Sequence, residues 1–194
     1  MKSRKFDVVI IGGYGHVGLP FGIMLAKAGL EVGLCDLNSS VEKVIRSGKM
    51  PFMERGAESI LKKVIGKTLH VGVQHTEMHG AIVVIAIGTP VNERFHPDLK
   101  PMFKLIRDIR GSLHEGQHVM LRSTVYPGTT RKIYQMLNKR GKNIHLSFCP
   151  ERIVQGHAIE ELGKFPQIIS GVTKQALSSA RKTFSYILRN VFRI

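Results

Sequence analysis

The sequence predicts a doubly wound α/β fold on one parallel sheet, and three observations carry that prediction. Short apolar runs alternate with helical patterns along the whole chain, as in a sheet covered on both faces. The first run, Val8 to Ile11, breaks into Gly13-x-Gly15-x-x-Gly18 and then opens a helical pattern that ends near Gly29. The second run, Glu31 to Leu34, ends at Cys35-Asp36, an acid where such a fold wants one.

Taken in order, strands are expected near 6–12, 31–36, 69–73, 81–87, 117–123, 144–148 and 167–171, each an apolar run short enough for a strand. Helices are expected over 16–28, 39–48, 55–65, 98–113, 128–140 and 173–188, where apolar residues recur at helical spacing. Pro127-Gly128-Thr129-Thr130 reads as the start of the fifth of these helices. Short right-handed crossovers leave a Rossmann-type sheet as the economical topology, with ligands at the carboxyl ends of its strands. The 194 residues bury one sizeable core, so residues 1–194 form one domain.

The glycines then acquire roles. Gly13 makes the tight turn, Gly15 has no Cβ to hold a pyrophosphate off the backbone, and Gly18 lets the helix pack closely on its strand. The first helical N–H groups face the phosphates. Asp36 accepts from a ribose 2′-OH and repels a 2′-phosphate, which selects NAD over NADP.

Composition excludes several classes. With 43% hydrophobic and 22% charged residues the chain is globular, and it has no repeat, low-complexity tract or apolar stretch of membrane-span length. Met1 to Lys5 superficially resemble the start of a signal peptide, but Asp7 and the glycine motif interrupt the apolar core one would need. Cys35 and Cys149, at two distant strand ends, make neither a disulfide framework nor a zinc site, and a cytoplasmic location fits. The formal charge is +15, from 29 Lys and Arg against 14 Asp and Glu. The basic residues are scattered, and no nucleic-acid-binding signature accompanies them, so specific nucleic acid binding is not expected. The densest group, Arg131, Lys132, Lys139, Arg140 and Lys142, admits two readings: a solvated helix face, or a field that concentrates polyanionic small molecules. Gly66-Lys67-Thr68 imitates a P-loop ending, but position 61 is Leu and a strand follows. His75 and His79 lack a third ligand, so no metal is expected, and Ser123 and Ser147 lie outside any nucleophile elbow.

Three strand-end loops bring hydroxyls and carboxylates to the ligand side: Gly88-Thr89-Pro90-Val91-Asn92-Glu93, Arg122-Ser123-Thr124 onward to Thr130, and Ser147 to Gly156. With Gly13 to Pro20, the motifs Gly88-Thr89-Pro90, Ser123 to Thr130 and Cys149-Pro150-Glu151-Arg152 are similar, in order and spacing, to the first half of the nucleotide-sugar 6-dehydrogenases. Pro-Glu-Arg is the ending of their UDP-N-acetyl-mannosamine branch, and the Ala158 to Gly171 stretch adds to the resemblance.

The resemblance implies oxidation of the C6 alcohol of a UDP-sugar to a carboxylate with two NAD and a cysteine-bound thioester. By the same carry-over Thr124 holds a water near the nicotinamide, and Glu151 orients or deprotonates the water that cleaves the thioester. His16, Val17, Thr89 and Pro90 join the glycines, Asp36 and Thr124 around the cofactor, while Arg152 and Glu151 meet the substrate. Two departures stand out: Gln155 where many relatives carry a second Glu, and His16 where they carry an aromatic. The family's Gly-x-Cys nucleophile and its central dimerisation and nucleotide-sugar domains have no counterpart in this sequence. The expectation is an NAD-binding domain not competent alone, with homodimerisation dependent on the central domain. The alternative is a non-catalytic NAD- or polyanion-binding module.

Overall fold

The computed structural model describes residues 6–78, 82–90, 98–139, 141–188 and, as backbone, 191–193. Met1 to Lys5, His79, Val91, Asn92, Glu93 and Arg140 lie outside the described residues. The chain runs β1 (Val8–Ile11), α1 (Gly18–Lys27), β2 (Val32–Cys35), α2 (Ser39–Arg46), α3 (Ala57–Val64), β3 (Leu69–Val71), a 3-10 turn (His75–Glu77), β4 (Ile82–Ile85), α4 (Lys100–Ile109), β5 (His118–Leu121), α5 (Thr129–Leu137), β6 (His145–Phe148), α6 (Ala158–Lys164), β7 (Gln167–Gly171), α7 (Lys174–Ser185) and β8 (Val191–Arg193).

One sheet has the order β3-β2-β1-β4-β5-β6-β7-β8. Its first six strands in sequence are parallel, as expected. β7 instead runs antiparallel to β6 and pairs in parallel with β8. The reason lies in the connection: α6 has seven residues, about 10 Å at 1.5 Å each, too short to carry the chain back across the sheet. It packs beside α1 at the carboxyl edge, and the chain re-enters the sheet from there. Neither α6 nor β8 is signalled by periodicity, because each holds too few residues to show one.

Register aligns the strand ends that matter: Ile11 pairs with Cys35 on one side and Ile85 on the other. Each face of the sheet has its own core. α1, α2, α3, α6 and α7 cover one, with Ile10, Leu34, Phe21, Ile45, Leu61, Leu162 and Phe184. On the other, α4 and α5 pack Ile106 and Ile133 against Val83, Ile85 and Val119. α1 is buried almost all round, and an added Cβ on its Gly22 would lie 2.9 Å from Leu34 Cδ2. At the β3 edge the outward carbonyls are occupied: Leu69 O accepts from Gly66 N (2.9 Å) and Val71 O from Arg46 Nη2 (2.8 Å).

Candidate functional site

The glycine loop after β1 is fixed by crowding. Gly12 has φ +79°, and a Cβ there would stand 2.7 Å from the Ala86 carbonyl oxygen. The left-handed turn therefore belongs to Gly12, a correction to the sequence reading, which gave the tight turn to Gly13. Gly13 serves close packing instead, since its Cβ would meet Ile10 O and Leu34 Cβ at 2.9 Å. At Gly18 a Cβ would overlap the Gly12 carbonyl oxygen, so α1 can sit this near β1 only with glycine there. Gly15 differs: its Cβ would touch only Gly12 O, at 3.7 Å, and otherwise enter open space. That is the cradle a pyrophosphate requires.

Beside it lies a groove of about 550 Å³, at the carboxyl ends of β1, β2 and β4. Gly15, Asp36, His75 and Ile87 line it, with Lys104 and Leu105 of α4. Asp36 is held on three sides: Oδ2 accepts from Tyr14 N (3.1 Å), and Oδ1 from Leu37 N (2.8 Å) and Asn38 N (3.3 Å). A carboxylate has about four acceptor positions, so one remains for a ribose hydroxyl. Tyr14 is buried; its hydroxyl accepts from Gly72 N (2.8 Å) and donates to Glu42 (3.1 Å), and burial pushes its pKa well above the phenolic range. A second depression of about 530 Å³ lies at the β3 edge, where Arg46 is already paired with Glu42 and His70 with Glu31.

The other predicted residues divide. The His16 ring stacks on Phe52 at 4.0 Å, and Val17 packs against the core beside α1. Thr89 and Pro90 are not among the groove residues. Thr89 Oγ1 donates to the Thr124 carbonyl (2.7 Å) and Ser123 Oγ to the Ile87 carbonyl (2.6 Å), which ties the β4 and β5 loops together. The Thr124 side chain is exposed. Glu151 is nearly buried: Oε1 accepts from Arg152 N (2.8 Å) and Ile153 N (3.1 Å), and Oε2 pairs with the Arg122 guanidinium. Arg152 donates to the Pro166 carbonyl (2.8 Å).

Arg122 was not singled out by the sequence as a site residue. It is fully buried, 4.3 Å from the Phe21 ring and 5.2 Å from that of Phe184, with Gln167 Oε1 at 3.2 Å; burial lowers its pKa to about 10. Its signal was an arginine ending an apolar strand. Glu54, also unremarked, accepts from Gly156 N (3.0 Å) and Ile159 N (3.4 Å) at the start of α6. The two thiols are poor nucleophiles at neutral pH, because burial pushes both Cys35 and Cys149 up to about 11. Among the described residues no group of three or more His, Cys, Asp or Glu could hold a metal ion, and no helix is long and apolar enough to cross a membrane.

A six-stranded parallel core, a glycine cradle at the first strand's end and an acid at the second's define a Rossmann-type dinucleotide-binding domain. Comparison with known proteins narrows this class. Residues 7–189 match the UDP-glucose/GDP-mannose dehydrogenase family, NAD binding domain, and the chain belongs to that family. It is 31% identical over 197 residues to a UDP-N-acetyl-D-mannosamine dehydrogenase of Methanococcus aeolicus, a match that takes in 98% of this chain and 44% of the relative. The structure of the Pyrococcus horikoshii UDP-D-ManNAc dehydrogenase superposes with TM-score 0.88 at 29% identity, over 96% of this chain and 46% of that one. That of the Staphylococcus aureus UDP-N-acetyl-mannosamine dehydrogenase gives 0.81 at 25%, over 96% and 47%. The chain thus spans about half the length of the relatives it matches.

Proposed function

We propose that the chain binds NAD in the groove beside Gly15 and contributes the cofactor half of a nucleotide-sugar 6-dehydrogenase acting on a UDP-sugar. The observation that supports it most directly is the open direction of the Gly15 Cβ, next to a carboxylate with one acceptor position left. Gly12, Gly15 and Asp36 would hold the dinucleotide, with Ile87 and Leu105 against its apolar parts. Bound NAD supplies a hydride acceptor. The residues of this chain would then act around it. Thr124, exposed at the end of β5, would hold a water near the reacting carbon. Glu151, ion-paired with Arg122, would orient the water that hydrolyses the acyl intermediate, and Arg152 would face the substrate. Neither cysteine suits the covalent step. Alone, the chain is therefore expected to bind NAD without completing the oxidation.

Calorimetric titration with NAD and NADPH tests the cofactor assignment. NAD should bind and NADPH bind at least tenfold more weakly, while equal affinities would remove the role given to Asp36. Gly15→Val should abolish binding in a folded protein, because its side chain occupies pyrophosphate space and little else.

A further inference from the structure

We propose that the basic outer face of α4 and α5 is a steering surface that draws anionic dinucleotides into the adjoining groove; the inference rests on the cofactor reading above. α4 is a wall of that groove, to which it contributes Pro101, Lys104, Leu105, Asp108 and Ile109. Residues 100–142 carry ten Lys and Arg against two acids, Asp108 and Glu115. Several of these cations are already engaged. Arg122 is interior, Lys104 pairs with Asp108 (2.7 Å), Lys132 sits over the Phe103 ring (4.5 Å), and Arg110 and Lys142 donate to backbone carbonyls. Lys100, Arg107, Arg131 and Lys139 remain exposed.

Position relates these four to the groove. Lys100 and Arg107 stand four residues before and three after groove-lining Lys104, hence about 5–6 Å from it between Cβ atoms. That is within the Debye length of about 8 Å at physiological ionic strength, so their field reaches the groove mouth. α5 packs beside α4 and extends the same sign of charge. The acids at the groove, Asp36 and Asp108, oppose an incoming phosphate; Asp108 is paired with Lys104, and the Asp36 carboxylate keeps its charge but turns it toward three backbone N–H groups. A low-dielectric cleft flanked by one sign of charge raises association rates by about 10- to 10³-fold.

The test is stopped-flow binding, read from the fluorescence of NADH itself, since the chain contains no tryptophan. The logarithm of the association rate should fall with the square root of ionic strength, with a slope for NADH, which bears two net negative charges, about twice that for NAD, which bears one. NAD is followed by competition. Reversing the four exposed cations (Lys100→Glu, Arg107→Glu, Arg131→Glu, Lys139→Glu) should lower the NADH association rate about tenfold at low salt and leave dissociation unchanged. The matched control reverses Lys63, Lys174, Arg181 and Lys182 on the helices of the opposite face and should change the rate far less. An equal effect of both sets, or none from the first, overturns the proposal. So does a slower association matched by faster dissociation, which marks direct contact. A duplex DNA that binds at physiological salt and is lost with the first set would reassign the face to a polymer. Failure of the unaltered chain to bind NADH at all would overturn the cofactor reading instead.

Discussion

A guanidinium without water around it requires a counter-charge, and Arg122 finds one in Glu151, farther along the chain and one strand over. Removing one partner leaves the other buried and unpaired, which costs about 3–5 kcal/mol. Arg122→Met should therefore lower the urea midpoint sharply, and Arg122→Met with Glu151→Leu should recover much of the loss. Additive losses would mean the pair is not coupled. His118 supplies a second measurement. Burial first, and then the charge of neighbouring His145, lowers its pKa to about 4, and it bonds Ser147 Oγ at 2.8 Å. Its unfolded value is about 6.5. The folded state thus binds fewer protons between those values, so stability is full above about pH 6.5 and declines as pH falls toward 4. The loss amounts to about 3 kcal/mol. Denaturation midpoints from pH 7 to 4 should show the decline, and His118→Gln should flatten it. Glu151 was legible in the sequence through a motif, whereas its partner was not: Arg122 lies in a run that reads as an ordinary strand end, and only the fold places Phe21 and Phe184 over it.

At the scale of elements, the glycine loop and α1 were legible because each glycine answers to a different steric demand. The loop also separates folding from binding. Gly18→Ala drives a methyl into the Gly12 carbonyl and should lower stability by about 1–3 kcal/mol, as overpacking does, in addition to weakening NAD. Gly15→Ala meets only ordinary contact at 3.7 Å, so its melting temperature should stay near that of the parent while affinity falls. Thermal unfolding and calorimetry of the two variants distinguish these outcomes; a Gly15→Ala protein that unfolds as early as Gly18→Ala would contradict the open cradle. The shift of the turn from Gly13 to Gly12 was hidden because the doublet offers two glycines and spacing alone does not say which has positive φ. The reversal at β7 escaped for another reason. Strand direction depends on the length of α6 and on the Glu54 carboxylate that anchors its start from a loop a hundred residues earlier, and neither appears in local periodicity.

The molecule as a whole divides by face: one side of the sheet is covered by five helices, and the other by two with a cationic exterior. Overall charge was legible from composition, but its concentration beside the groove required the packing of α4 on α5. Any retention on DNA should fall steeply with salt and ignore sequence, as phosphate neutralisation dictates, and a footprint on one sequence at physiological salt would argue otherwise. The far edge of the sheet carries a different consequence. A free edge strand invites strands of other molecules to continue the ladder, and β3 deters this with a guanidinium seated on the Val71 carbonyl and a backbone N–H on that of Leu69. Arg46→Ala would bare the first of these. Such a protein should still bind NAD, yet thicken into oligomers on concentrated storage, detectable by light scattering; the shelf life of the chain thus depends on one arginine outside the groove.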